Sequence, residues 1–132
     1  MRTNLYSSVY IIIILLAAYG CKPEPPLSQP EEDLKISIDA PSYTTTPAAD
    51  FSFNLKIESA MPVNGVQVEY NVKGETDNQN YAQGPTIHTQ TATVPIRISS
   101  LPRQKICICT VIVTSQSRSI NTTSLSFRIV YK

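Results

Sequence analysis

Apolar and polar residues alternate strictly along five stretches of this chain, and a period of two predicts β-strands with one buried and one solvated face. The apolar positions are Leu34, Ile36 and Ile38; Phe51, Phe53, Leu55 and Ile57; Val66, Val68, Tyr70 and Val72; Val94, Ile96 and Ile98; Leu125, Phe127, Ile129 and Tyr131. A weaker strand is expected within residues 86–90. No stretch shows sustained helical periodicity, so the pattern predicts an all-β fold.

Residues 106–114 differ from the other stretches because they are apolar on both sides, which predicts a central strand. Turn-forming residues separate the strands, and Pro95 is typical of an edge strand, where its missing N–H is not needed by a neighbour. Short strands at this spacing predict an antiparallel two-sheet sandwich of about seven strands.

The C-terminal third of the chain resembles the last three strands of fibronectin type III domains. The resemblance covers Ser100-Leu101-Pro102 and residues 106–114 and 124–131. It implies an immunoglobulin-like sandwich. Two features of the family are missing: the chain has no tryptophan, and Ile106 or Cys107 stands where the family has its corner tyrosine.

The first residues have the pattern of an export signal. Arg2 precedes an apolar run over residues 9–19, whose length of about 11 residues suits a signal peptide and is short of the roughly 20 needed to span a bilayer. The sequence Ala18-Tyr19-Gly20-Cys21 resembles the lipobox of bacterial lipoproteins, although a small residue is usual at Tyr19.

This resemblance implies that residues 1–20 are a cleaved signal peptide and that Cys21 carries acyl chains that bind a membrane. Lys22, in place of an aspartate, then favours the outer membrane of a Gram-negative cell. The alternative is an uncleaved signal anchor with Cys21 as an incidental thiol. Residues 21–33 contain four prolines and predict an extended tether, or else a docking segment, ahead of a single domain over residues 34–132.

Few side chains offer catalytic or ligand-binding chemistry, so we expect neither an enzyme nor a bound cofactor. His88 is the only histidine and lies in a polar stretch. Cys107 and Cys109 fall on one face of a strand, a spacing that suits two reduced core thiols better than a disulfide or a zinc site. Residues 74–80 are rich in oxygen ligands but match no calcium-binding loop, and a polar loop is expected there.

Charge is unevenly distributed along the chain. Residues 21–77 carry four basic and ten acidic side chains, whereas residues 78–132 carry six basic and no acidic ones. The asymmetry favours an anionic polysaccharide or simply a solvated surface, because the basic residues fall on separate elements. A nucleic-acid partner is not expected, since aromatic and basic residues do not interleave.

The central strand supplies the candidate interaction face. With Cys107 and Cys109 in the core, we expect four apolar side chains to point outward together: Ile106, Ile108, Ile112 and Val130. Apolar residues that are contiguous on an outer sheet face mark a contact surface, unless a loop or the tether covers them or the strand faces the opposite way. Together with the lipobox resemblance, this pattern predicts a non-enzymatic lipoprotein with a protein partner. The alternatives are a glycan-binding lipoprotein using Tyr43 and Tyr81, which are expected in loops, an inhibitor using the loop at residues 74–84, or a small hydrolase.

Overall fold

The computed structural model describes residues 29–132, and this part of the chain contains β-strands and no helix. Its strands are β1 (Ile36–Ile38), β2 (Tyr43–Thr46), β3 (Phe51–Ile57), β4 (Val66–Gly74), β5 (Asn80–Gln83), β6 (Ile87–Thr89), β7 (Thr93–Ile98), β8 (Ile106–Ser115) and β9 (Thr122–Tyr131). Each alternating stretch forms a strand, which confirms the all-β prediction. The expected signal peptide (1–20), Cys21 and most of the expected tether (21–33) lie outside the described residues.

The strands form two sheets. A three-stranded sheet has the order β1-β3-β7, and a six-stranded sheet has the order β2-β9-β8-β4-β5, with β6 also paired to β4. As predicted, β8 is central and Pro95 lies on an edge strand. Strand β8 pairs antiparallel with β4 on one side and with β9 on the other, over nearly its whole length.

The core lies between the two sheets and is built from the inward position of every second residue. Leu55, Ile98, Val68, Val111 and Ile129 are fully buried there. An aromatic contact joins the sheets, because the ring of Phe53 on β3 meets that of Phe127 on β9 edge to face at 5.1 Å between centroids. The arrangement is a two-layer sandwich.

Two features differ from the sequence prediction. The described residues form nine strands rather than about seven, and β2 runs parallel to β9, so the fold is not wholly antiparallel. Strand β2 has no apolar alternation because its inward residues are Thr44 and Thr46, whose buried hydroxyls donate to the carbonyls of Pro41 and of Ala48 and Asp50. Threonines satisfied in this way replace the apolar side chains that mark a strand in the sequence.

The folded unit begins at Glu31, slightly before the boundary expected at residue 34. Buried Asn121, which precedes β9, holds this segment. Its Nδ2 donates to Glu31 Oε1 at 2.6 Å and to the Glu32 carbonyl at 2.9 Å, and its Oδ1 accepts from the Leu34 amide at 2.9 Å. One side chain thereby fixes where the chain enters the sandwich.

Candidate interaction face

The outer face of β8 presents apolar side chains to the surface. Residues of β8 alternate in burial: Cys107 and Cys109 point into the core, whereas Ile106 is 40% exposed and Ile108 is half-buried on the opposite face. Since side chains alternate across a strand, burial of the two thiols requires the isoleucines to face outward. The apolar residues of β8 therefore divide between two faces: the cysteines lie in the core, and the isoleucines lie on the accessible outer face.

Val130 shares this face with Ile106, its register partner on β9, but it offers almost no accessible surface. It is 6% exposed. The reason is strand β2, which the sequence did not reveal: Val130 is flanked by Ile106 on one side and by Thr45 on the other. Val130 was expected to form part of an exposed patch. It lies on the outer face but is buried between Ile106 and Thr45, so it adds almost no accessible surface.

Ile112 is separated from the other isoleucines on the same face. Thr110 lies between it and Ile108 along β8, and its register partners are Glu69 on β4 and Ser124 on β9. Ile106 and Ile108 thus lie together at one end of the strand, while Ile112 stands among polar side chains. The expected patch divides into a pair and an isolated residue.

Tyr43 extends this pair across the sheet. It faces outward from β2, is 49% exposed, and aligns through Arg128 with Ile108. The sequence placed Tyr43 in a loop, and no periodic signal linked it to β8. We call Tyr43, Ile106 and Ile108 the apolar patch.

Charged side chains border the apolar patch and also cross it, because Arg128 lies between Tyr43 and Ile108. Ile108 lies in register between Lys73 on β4 and Arg128 on β9. Arg128 Nε donates to Glu75 Oε1 at 2.6 Å, so this exposed ion pair crosses over β8. Beside it, a groove of about 280 Å³ is lined by Ser42, Ile108, Ser126, Phe127 and Arg128. An apolar floor with a polar margin is the composition of a protein contact surface.

A second polar cluster, formed by Lys105, Asp77 and Tyr81, lies at the end of the sheet where β8 begins. Lys105 Nζ donates to Asp77 Oδ2 at 3.0 Å and to the Tyr81 hydroxyl at 2.7 Å, and it lies 5.2 Å from the centre of the Tyr81 ring. Hydrogen bonds from Tyr81, the Gln79 amide and Lys105 lower the pKa of Asp77 to about 2, and contacts with Tyr81 and Asp77 raise the pKa of Lys105. Both groups are charged at neutral pH, which suits an ion pair and not proton transfer.

The cluster of Lys105, Asp77 and Tyr81 bears on two alternatives from the sequence, a calcium site in residues 74–80 and sugar stacking on Tyr81. Asp77 belongs to the loop in which a calcium site was considered, and its carboxylate is engaged by Lys105 and Tyr81. Among residues 29–132, no three side chains of the metal-ligating types converge. The ring of Tyr81, a candidate sugar-stacking residue, lies against Lys105 and belongs to β5 rather than to a loop.

His88 lies on β6, away from the apolar patch. It is exposed, and its Nδ1 hydrogen-bonds the Gln116 side chain. The adjoining surface depression of about 240 Å³ is lined by Asn64, His88, Thr89, Gln90 and Gln116. None of these lining neighbours is a carboxylate, a lysine or a thiol.

The two thiols are free and buried in the core. Burial raises the pKa of Cys109 to about 12 and, with a contribution from Asp77, raises that of Cys107. A thiol with a raised pKa stays protonated and is a poor nucleophile or metal ligand. The cysteines therefore act as small apolar core residues.

Neither the scan of protein-family models nor the search of curated proteins finds a match to this chain. In the part of the chain that the structure describes, no helix is long and apolar enough to cross a membrane.

Proposed function

We propose that this protein is a non-enzymatic lipoprotein of the cell envelope that presents an immunoglobulin-like domain to a protein partner. The observation that carries the proposal is the apolar patch. Tyr43 on β2 and Ile106 on β8 are 49% and 40% exposed, and both lie on the same outer sheet face as Ile108. An accessible apolar surface rimmed by charge is stabilised when a partner covers it.

The strand arrangement supports the immunoglobulin-like part of the proposal. In the constant type of such domains the third, sixth and seventh strands form one sheet, and the first, second, fifth and fourth form the other. If β2 is counted as a continuation of β1, and β5 and β6 as additions beside β4, the sheet orders of the described residues follow that scheme except for the fourth strand. The chain lacks the tryptophan typical of the antibody branch.

The lipid anchor rests on the N-terminal sequence. In this proposal, signal peptide cleavage leaves Cys21 as the acylated first residue, and the proline-rich segment holds the domain away from the outer membrane. Acyl chains on one cysteine give firm binding, because each buried methylene contributes about 0.8 kcal/mol. The anchor restricts the domain to a membrane surface, which raises its effective concentration toward a partner in the same membrane.

The test is crosslinking in intact cells with the full chain, followed by purification and identification of the crosslinked protein. Four chains are compared: the wild type, Cys21→Ala, Ile108→Asp and Val63→Asp. Val63 is 89% exposed and lies in the loop before β4, so Val63→Asp places the same charge on an apolar surface residue outside the apolar patch. Urea unfolding of each variant checks that the domain is folded.

We expect one protein to be captured by the wild type and by Val63→Asp and to be lost with Ile108→Asp. Loss with Cys21→Ala, together with transfer of the protein from the membrane to the soluble fraction, supports the anchor. Retention of the partner by a folded Ile108→Asp variant contradicts the contact. Co-purification with polysaccharide and no protein would replace this proposal with glycan binding.

A further inference from the structure

Within residues 29–132, no strand pairs with the outer edge of the six-stranded sheet over the first half of β9. Strand β2 covers this edge only from Arg128 to Tyr131. The amide of Arg128 donates to the Ser42 carbonyl and so points away from β8. Along a strand, the backbone N–H and C=O groups of every second residue point to the same side. The pairing of β8 with β9 continues without a register shift, so the N–H and C=O groups of Ser124 and Ser126 also point away from β8.

No residue between 29 and 132 bonds to those four backbone groups. Strand β1 runs nearby but belongs to the other sheet, where it pairs with β3. The unpaired edge therefore lies in the plane of the six-stranded sheet, and Ser124 and Ser126 on it are exposed. We call residues 122–127 the open edge.

The other edges of the described domain carry features that oppose strand addition. Strand β7 contains Pro95 and Arg97, and β5 has four residues next to a β-bulge. Strands β1, β2 and β6 have only three or four residues each. Short edge strands, proline, charge and bulges are the usual means by which sheets avoid unwanted pairing. The open edge, Thr-Thr-Ser-Leu-Ser-Phe, has no charge, no proline and no bulge.

We propose that the open edge binds the same edge of a second copy of this chain, forming an antiparallel dimer whose six-stranded sheets are continuous. A twofold axis at Ser124 aligns outward-directed backbone groups of both copies, because Ser124 then faces Ser124 and Thr122 faces Ser126. This register supplies about four new backbone hydrogen bonds, two at the Ser124 pair and one at each Thr122–Ser126 pair, because the Thr122 amide already donates to the Ile120 carbonyl.

Side chains favour a second copy as the occupant. On the outer face, the twofold register sets small hydroxyl side chains opposite each other, at Ser124 and at Thr122 with Ser126. On the inner face it sets half-buried Leu125 opposite Thr123 and covers it. The open edge is uncharged, so the axis brings no like charges together in it, which is the usual obstacle to self-pairing.

The test uses the full chain in its membrane fraction and cysteine crosslinking. In the proposed register the Cα atoms of the two Ser124 residues lie about 5.5 Å apart, within the range that a disulfide spans. Mild oxidation of Ser124→Cys is expected to give a covalent dimer of the chain. The matched control is Ser52→Cys, an exposed serine on the opposite sheet, and the parent chain reports any contribution from its own thiols.

A second measurement removes the dimer without an oxidant. Ser124→Lys sets two like charges face to face on the axis, so we expect its mass in mild detergent to be that of a monomer, while the parent and Ser52→Lys remain dimers. A monomeric parent chain overturns the proposal. So does failure of Ser124→Cys to crosslink, or its crosslinking to a different protein, which would identify a foreign strand as the occupant.

Discussion

At the residue scale, the position of Cys109 in the core determines its reactivity. Its accessible surface is nil, and burial raises the pKa of its thiol to about 12. We expect Cys107 and Cys109 of the native protein to resist a maleimide reagent at pH 7.5 and to react rapidly in urea, because only the exposed thiolate reacts. Ser52→Cys gives the rate of an accessible thiol in the same fold. Native reaction as fast as this control would contradict the buried position.

The contact between the Tyr70 ring and Gly84 limits which side chain position 84 can carry. Tyr70 reaches from β4 to the opposite sheet, where its hydroxyl donates to the Arg97 carbonyl at 2.9 Å. Its ring lies against Gly84 so closely that an added Cβ would overlap the ring. We expect Gly84→Ala to lower the free energy of unfolding by about 1–3 kcal/mol, the usual cost of overpacking.

Urea unfolding measures this cost, with Gln83→Ala as an exposed neighbour that should change little. In a Tyr70→Ala background the overlap is gone, so Gly84→Ala should then cost much less. An equal cost in both backgrounds would show that the glycine is needed for its backbone and not for the ring.

At the element scale, the hydrophobic pattern predicted every long strand, by strict alternation where one face is buried and by a run that is apolar on both sides in β8. It missed β2 and β5 for separate physical reasons. The inward residues of β2 are Thr44 and Thr46, whose hydroxyls are satisfied locally, and β5 is a short edge strand of polar character. Parallel pairing of β2 with β9 depends on contacts distant in sequence, which local periodicity does not record.

The link between Asn121 and the N-terminal segment is another element-scale feature. Asn121→Ala removes hydrogen bonds to Glu31, Glu32 and Leu34 and leaves the buried Leu34 amide without its partner. We expect a loss of about 2–3 kcal/mol in the free energy of unfolding. Amide hydrogen exchange should accelerate at Leu34 and along β1 more than in β4.

Asn64→Ala provides the control for this comparison, because Asn64 is an exposed loop asparagine. Uniform acceleration of exchange throughout the domain would mean that Asn121 stabilises the whole sandwich rather than the entry of the chain.

At the scale of the whole molecule, the candidate site was only partly predictable. The sequence indicated the outward direction of Ile106 and Ile108 because the neighbouring thiols are apolar enough to be core residues. It did not indicate that β2 would enclose Val130 and add Tyr43, since both effects follow from one long-range pairing. Contact surfaces built from several strands depend on the sheet order, which no single stretch of sequence contains.

The pH dependence of stability is a property of the whole molecule, and the raised pKa values of the core thiols predict a contribution to it. The pKa of Cys109 rises from 9.0 to about 12 in the folded protein, so the unfolded chain loses this proton first as the pH increases. The stabilisation is complete below pH 9 and is lost as the pH rises toward 12, at up to about 1.4 kcal/mol per pH unit.

We therefore expect the free energy of unfolding to fall above pH 9 and to fall less steeply in Cys109→Ala. Urea titrations between pH 7 and pH 11 measure this slope. Val111→Ala is the control, because it removes core methyl groups from the same face of β8 without changing a titrating group. Tyrosine ionisation contributes to the slope of all three proteins, so the difference between them isolates the thiol. If Cys109→Ala kept the slope of the parent, the thiol would have to ionise equally well in the folded and unfolded chains, contrary to its complete burial between the sheets.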